Sequence, residues 1–335
     1  MTTYLALLIS VIVIYYSCEL FVNGIEWVGK KLNISQCAVG TILAALGTAL
    51  PESVVTLVAV AFQGSSEQKD IGVGAALGGP LVLGTLAYAV VGLCIILFRK
   101  KRDAGLEIDI DGHKLSRDQL WFVSIFIFKV LLGLVLFAYK PLMGFVFLGL
   151  YAFYFYRELR AECLEECLLP EPLKFQPKRQ EPTMTATFFQ TGLALVLIFA
   201  SSHVFVTELE VLGRSLDVSP LIISLLCSPI ATELPEILNA VIWVRQGKET
   251  LALGNISGAM MIQATVPSAF GLFFTPWLFD LHLLWSGIVT LLSVMYLLIT
   301  LKEHKLSPHR LLYAAIFYLL FAAIFFFPAT NFYSL

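Results

Sequence analysis

The stretch Cys227-Ser-Pro-Ile-Ala-Thr-Glu-Leu-Pro-Glu236 sets two carboxylates and two prolines inside an apolar run long enough to cross a membrane. A shorter copy, Gly47-Thr-Ala-Leu-Pro-Glu52, ends 184 positions earlier. An ionised carboxylate at the centre of a membrane helix costs roughly 2.5–3.5 kcal/mol, so Glu52, Glu233 and Glu236 together need roughly 8–10 kcal/mol of compensation. A bound cation is the simplest source. Pro51 and Pro235 lack an N–H, so the carbonyls of Gly47 and Ala231 lose their helical partner, and each helix is expected to kink there. Loosened carbonyls are tolerated in lipid only where they are buried in protein or line a wet cavity. With the hydroxyls of Thr48 and Thr232 they make an all-oxygen environment, suited to Ca²⁺, Na⁺ or a hydrated proton. One copy alone reads equally well as a kink whose carboxyl snorkels or stays protonated; two copies in corresponding places favour the ion.

Composition agrees. The 335 residues are 58% hydrophobic and 14% charged, with a mean hydropathy of +0.84, which is the membrane class. The first apolar segment has neither a basic leader nor a small-residue cleavage site, so it is expected to be a retained span. Counting about 20 apolar residues per crossing gives ten spans, at about 3–22, 37–62, 70–98, 119–138, 141–157, 185–206, 217–244, 250–275, 281–301 and 308–328. Basic residues orient them: eighteen Lys and Arg fall on the side of the 99–118 loop and three, Lys69, Lys140 and Arg214, on the other, with Lys129 inside the fourth span. By the positive-inside rule that loop is cytoplasmic and both termini lie outside, in a plasma membrane or bacterial inner membrane.

The two halves repeat. Ser17/Ser201, Phe21/Phe205, Glu26/Glu210, Gly29/Gly213, Thr48/Thr232, Pro51/Pro235 and Glu52/Glu236 are identical pairs in a gapless register. Five spans per half is an odd number, so the halves cross in opposite senses, an inverted-topology repeat that puts a site near the midplane. The expected organisation is a first half over 1–157 with its motif region at about 38–84, a cytoplasmic linker over 158–184, and a second half over 185–335 with its motif region at about 222–268.

The soluble parts read as auxiliary. Leu106 to Leu115 alternates around Asp111-Gly112 and is expected to form a small hairpin whose Asp109 and Asp111 are weak Ca²⁺ candidates. Cys163 and Cys167 share a helix face but lack a second ligand pair for a metal. The chain carries no phosphate loop, nucleotide fingerprint or nucleic-acid patch, and no nucleophile or His/Cys set for intramembrane hydrolysis, so neither an enzyme nor a nucleotide-driven pump is expected. No cofactor is expected either; the partners are the bilayer and its ions, and monomer and homo-oligomer stand equally open.

The motifs resemble those of the cation/Ca²⁺ exchanger superfamily, whose inverted repeats each carry a Gly/Ala-Thr-Ser-X-Pro-Glu pattern followed by a Gly-Asn-X-X-Gly-Ser-Asn-type helix. Gly47-Thr-Ala-Leu-Pro-Glu52 and Ala231-Thr-Glu-Leu-Pro-Glu236 match the first pattern; Gly254-Asn-Ile-Ser-Gly258 matches the start of the second, of which Gly74-Ala-Ala-Leu-Gly78 keeps the glycines. The resemblance implies an all-α, ten-helix sodium/calcium exchanger-like fold, a site on spans two, three, seven and eight, and alternating access by sliding of spans one and six. It places Glu52 and Glu236 on paired carboxylate ligands and Thr48 and Thr232 on hydroxyl or carbonyl ligands. This chain departs from it at Ala49, Glu233, Leu83, Gln263, Gly79 and Ala259. The first half has lost ligands and the second has gained a carboxylate, so an asymmetric site is expected.

Two carboxylates neutralise one Ca²⁺ or two monovalent ions. A third beside them is expected to exchange a proton or to hold one permanently, a role that falls to Glu233; pairing with Gln263 is the alternative. Asn239 lies one turn beyond Glu236 as a ligand or an interhelical hydrogen-bonder. Glu19 and His203, at equivalent repeat positions, are proton-relay candidates or solvated span-end residues. Lys129 is expected to snorkel or to pair with a carboxylate. The reading that follows is a secondary active antiporter, most simply of Ca²⁺ against Na⁺ or H⁺, with a monovalent-cation/H⁺ antiporter and a non-transporting ion sensor as its rivals.

Overall fold

The computed structural model describes residues 2–34, 38–61, 66–100, 102, 105–108, 110, 112–160, 170–215, 226, 228–302 and 306–326; for some residues within helices, Glu52 among them, it describes the backbone alone. Asp109, Asp111, Cys163 and Cys167 lie outside the described residues. Among the described residues the helices fall into ten segments. They are α1 (Thr2–Lys31), α2 (a π-helical turn Val39–Ala44 running into Ala45–Ala61), α3 (Ser66–Val82, a π-helical turn Leu83–Ala87, then Tyr88–Phe98), α4 (Gly112–Leu134) and α5 (Met143–Leu159). The second half follows with α6 (Met184–Ser215), α7 (Ser228–Thr232, then Leu234–Arg245), α8 (Glu249–Phe274), α9 (Leu281–Lys302) and α10 (Pro308–Phe326). Among the described residues six stretches, in α1, α3, α5, α6, α8 and α9, are long and apolar enough to cross a membrane by themselves.

The burial pattern suits a lipid solvent. Leu5, Leu8, Ile12, Val196, Leu319 and Leu320 are exposed, whereas Glu233, Glu236, Asn239, Asn255 and Gln263 are buried. At the centre runs α8, buried along nearly its whole length and packed against α2, α3, α4, α5 and α7. Small residues let it get there. A Cβ at Gly258 would meet the Thr41 carbonyl oxygen of α2 at 2.0 Å, so the two backbones touch where α2 is π-helical.

The two longest helices, α1 and α6, pack on each other outside this centre. Their seam is polar at one point: Gln190 Nε2 donates to Asn23 Oδ1 at 3.0 Å and to the Leu20 carbonyl at 2.9 Å. The linker is stitched to the same place, with Trp27 Nε1 donating to the Glu171 carbonyl at 2.7 Å and the Phe175 N–H to Gln190 Oε1 at 2.9 Å. One ion pair then ties α1 to the turn between α7 and α8, Lys248 Nζ meeting Glu26 Oε2 at 2.5 Å, while Trp243 Nε1 donates to the other oxygen at 2.9 Å. Gly247, with φ +73°, makes that turn possible: the N–H of Lys248 reaches back to the Trp243 carbonyl and that of Gly247 to Val244.

Two local expectations are corrected. Residues 106–115 are no hairpin, because Gly112 already begins α4 and the chain before it wraps Arg102. The buried guanidinium collects the carbonyls of Gly105 and Glu107 and the carboxylate of Glu249, while Lys114, one turn into α4, lies 3.0 Å from Glu158. A buried guanidinium needs that many acceptors, and a hairpin would have turned the carbonyls on each other. Lys129 does not snorkel: it is fully buried.

Candidate cation-binding site

The motif that opened the sequence is where α7 breaks. Glu233 stands between the two pieces with φ −85° and ψ 2°, and Pro235 occupies the first turn of the helix Leu234–Arg245. A proline suits that position, since first-turn N–H groups have no helical acceptor. The break thus lies two residues beyond the expected kink at Ala231, and the Glu233 N–H still reaches the Pro229 carbonyl at 3.1 Å. In the first half the helix runs on through Pro51, and the irregular turn lies upstream at Val39–Ala44. The consequence for Glu236 is electrostatic: it sits in the first turn of a half-helix, where unpaired N–H groups and the helix dipole favour a carboxylate by about 0.3–1 kcal/mol.

Around that point the polar groups converge. Glu233 and Glu236 are 0% and 1% exposed. Gln263 Nε2 on α8 donates to Glu233 Oε1 at 2.6 Å, so the pairing alternative for this carboxylate is realised. Asn255 Nδ2, two turns earlier on α8, donates to the Glu236 backbone carbonyl at 3.4 Å. Cys18 of α1 packs in from the other side, its Sγ 3.8 Å from the Pro235 carbonyl. Among the described residues, neither amide atom of buried Asn239 has a hydrogen-bond partner, and neither do Asn255 Oδ1 and Ser257 Oγ. Buried polar atoms are rarely left so, and oxygens waiting in a carboxylate-lined centre are what a desolvated cation requires.

The departures from the symmetric motif fit one another. Ala49, Leu83 and Ala259 are fully buried and bring no oxygen. Gly79 on α3 leaves a gap that the second half fills: a Cβ there would meet Gln263 Oε1 at 2.5 Å and Glu233 Oε1 at 2.9 Å. The extra carboxylate and its amide partner therefore occupy the space beside α3 that a side chain would take. Thr48 is buried, its hydroxyl donating to the Ala44 carbonyl at 3.1 Å; Thr232 donates to the Pro229 carbonyl at 3.2 Å. The side chain of Glu52 lies outside the described residues.

Glu19 and His203 are placed differently. Glu19 accepts from Tyr15 at 3.1 Å and lies 4.0 Å from Arg245 in a partly exposed pair, and the His203 ring is exposed. Both lie within long helices, Glu19 in α1 and His203 in α6, and are at least partly exposed there. Asn255, Ser257 and Lys129 belong to the centre without having been singled out for it. The Gly254-Asn255 motif was the available signal for the first; for the lysine the sequence held none beyond a charge in a span.

Comparison with known proteins bears on the family and the fold. The model of a family described as sodium/calcium exchanger protein matches residues 2–159 and 187–327. CaxA of Alkalimonas amylolytica, which carries an antiporter's name, is 28% identical over 279 residues, 82% of this chain and 81% of its own. The inner membrane protein YrbG of Escherichia coli is 24% identical over 277 residues, 81% of this chain and 79% of its own. The solved structure of the sodium-calcium exchanger NCX_Mj, soaked with Na⁺ and Sr²⁺, superposes with a TM-score of 0.75 at 21% identity, covering 96% of this chain and 98% of its own. The fold is thus that of the sodium-calcium exchanger, and a ten-helix inverted repeat fits it.

Proposed function

The chain belongs to the sodium/calcium exchanger protein family, and from that premise we propose that it is a secondary active antiporter, moving Ca²⁺ against Na⁺ or H⁺ by alternating access. It is an integral membrane protein and a transporter by family. The observation that carries the reading is the buried centre at the α7 break, where Glu233 and the Glu236 backbone meet Gln263 and Asn255 of α8, and where the side-chain oxygens of Asn239 and Asn255 have no hydrogen-bond partner among the described residues. Glu52, Glu236, Thr48, Thr232, Gln263 and Asn239 are the proposed ion ligands, with Glu233 either binding the ion or carrying a coupled proton. The transported ions are the substrate, and no cofactor takes part. The two proposed halves, 1–157 and 185–335, meet the linker 158–184 close to where α5 ends at Leu159 and α6 begins at Met184.

The test is ⁴⁵Ca²⁺ uptake into proteoliposomes under an imposed Na⁺ gradient and, separately, a pH gradient, for wild type, Glu236→Gln and Glu233→Gln. Uptake under one gradient that disappears in Glu236→Gln is the expected result. Uptake that needs the pH gradient and also disappears in Glu233→Gln assigns that residue to proton coupling. No Ca²⁺ flux under either gradient overturns the Ca²⁺ assignment and puts a monovalent-cation antiporter in its place, as the oxygens missing at Ala49, Gly79 and Leu83 would then explain.

A further inference from the structure

Lys129 of α4 is fully buried, and its Nζ donates to the Ala76 carbonyl of α3 at 2.6 Å and to the Gln263 carbonyl of α8 at 3.3 Å. Both acceptors are carbonyls that a proline has released. Pro80 and Pro267 lie four residues further on, inside their helices, and neither has the N–H that would close the helical bond. The Phe126 ring lies 5.1 Å from the same ammonium. These contacts explain two hydrogen bonds, but they do not call for a charge; an amide would serve both carbonyls. A full positive charge at this depth needs negative charge nearby. Gln263 provides the connection, since its backbone carbonyl receives Lys129 while its side-chain amide donates to Glu233 at 2.6 Å. On α3, Gly79 sits one turn beyond Ala76 and lets Gln263 and Glu233 come up against the helix on the side where the lysine is bound.

We propose that the Lys129 ammonium is a tethered cation of the ion site, held by the protein in place of one monovalent ion and balancing the charge of Glu233. Glu52, Glu233, Glu236 and Lys129 then carry a net of two negative charges, the complement of one Ca²⁺ or of two monovalent ions. The extra carboxylate and the buried lysine become one feature. This inference rests on the cation site proposed above and adds a residue on a fourth helix that sets its charge.

The experiment is a double-mutant cycle on the purified full-length protein in detergent with Lys129→Gln, Glu233→Gln and the double variant, reading Ca²⁺ affinity by titration calorimetry and thermal unfolding without Ca²⁺. Glutamine keeps two N–H donors, one bond closer to the backbone, and removes the charge. Lys129→Gln is expected to tighten Ca²⁺ binding on the order of tenfold, Glu233→Gln to weaken it by a similar factor, and the double variant to return to within about threefold of wild type. Without Ca²⁺, each single variant melts below wild type and the double recovers. Equal effects of Lys129→Gln in both backgrounds, or no effect at all, would show that the lysine only ties backbone carbonyls, and the proposal would fall. Should Lys129→Gln not fold, a double variant that folds supports the charge pair, and one that does not overturns it. Absence of Ca²⁺ binding by wild type would count against the proposed function alone, because the melting cycle still decides the pairing.

Discussion

Gly79 and Gly78 are neighbours on α3 with opposite consequences. A Cβ on Gly79 would strike the ends of two flexible side chains, Gln263 Oε1 at 2.5 Å and Glu233 Oε1 at 2.9 Å, whereas one on Gly78 would strike the rigid Pro229 ring at 2.6 Å. Gly79→Ala is therefore expected to leave the fold within about 1 kcal/mol of wild type, because side-chain ends can swing away, yet to weaken Ca²⁺ binding about tenfold or more by parting the Gln263–Glu233 pair. Gly78→Ala is expected to cost about 1–3 kcal/mol of stability through overpacking. Melting curves and calorimetric Ca²⁺ titration of the two variants check the contrast; equal stability losses would contradict it. Asn239 makes the complementary case. Its amide is buried with no partner among the described residues, so in the ion-free protein it is a standing cost. Asn239→Leu, similar in volume and apolar, is expected to raise ion-free stability by about 1–3 kcal/mol and to abolish the rise in melting temperature on adding Ca²⁺. A variant that melts lower without the ion would remove Asn239 from the site.

Among elements, the contact that sets the centre is α2 against α8. The π-helical turn Val39–Ala44 opens the backbone of α2 where Gly258 of α8 arrives, with 2.0 Å from a hypothetical Cβ to the Thr41 carbonyl oxygen. A backbone atom cannot rotate aside as a side chain can, so Gly258→Ala must push the helices apart, at an expected cost of about 1–3 kcal/mol or more and with loss of uptake in the same proteoliposome assay. Wild-type melting in that variant would mean that the π-helical turn absorbs the shift. This contact also marks what could be read from the sequence. The order of the helices, the Pro-Glu pair at the α7 break and the polar position at Gln263 were legible, because each depends on local composition or on the internal repeat. Pairing of Glu233 with Gln263 was legible as one of two options. The break at Glu233 rather than Ala231 was not, since two prolines six residues apart leave several ways to interrupt one helix. Nor was the place of Lys129, because which face of α4 meets α3 and α8 depends on contacts across 53 and 134 residues of sequence. Arg102 shows the same limit in a loop, its partner Glu249 lying 147 residues away and overriding a locally sensible hairpin.

For the molecule as a whole, sidedness decides what the exchange does in a cell, and it rests on charge. The topology expected from the sequence puts Lys30, Lys31, Arg99, Lys100, Arg157, Lys178, Arg179 and Arg245 at one set of helix ends and loops. Several of the most buried ion pairs gather there too: Glu26–Lys248 between α1 and the α7–α8 turn, Arg102–Glu249 at the start of α8, and Lys114–Glu158 between α4 and α5. It is the count of basic residues rather than the net charge that orients spans, so paired and unpaired lysines and arginines weigh alike. That side should be cytoplasmic and both termini outside. A membrane-impermeant maleimide applied to intact cells, with the native cysteines replaced, should label a single cysteine introduced at Thr3 and should reach one at Lys178 only after the membrane is permeabilised. Labelling of Lys178→Cys in intact cells would invert the molecule, and with it the side on which the clamp of Glu26 and Lys248 ties α1 to the α7–α8 turn. In the expected orientation that clamp lies on the cytoplasmic face, so breaking it with Lys248→Met should speed labelling of Cys18, which packs against Pro235, from the cytoplasmic side and leave its rate from the outside unchanged.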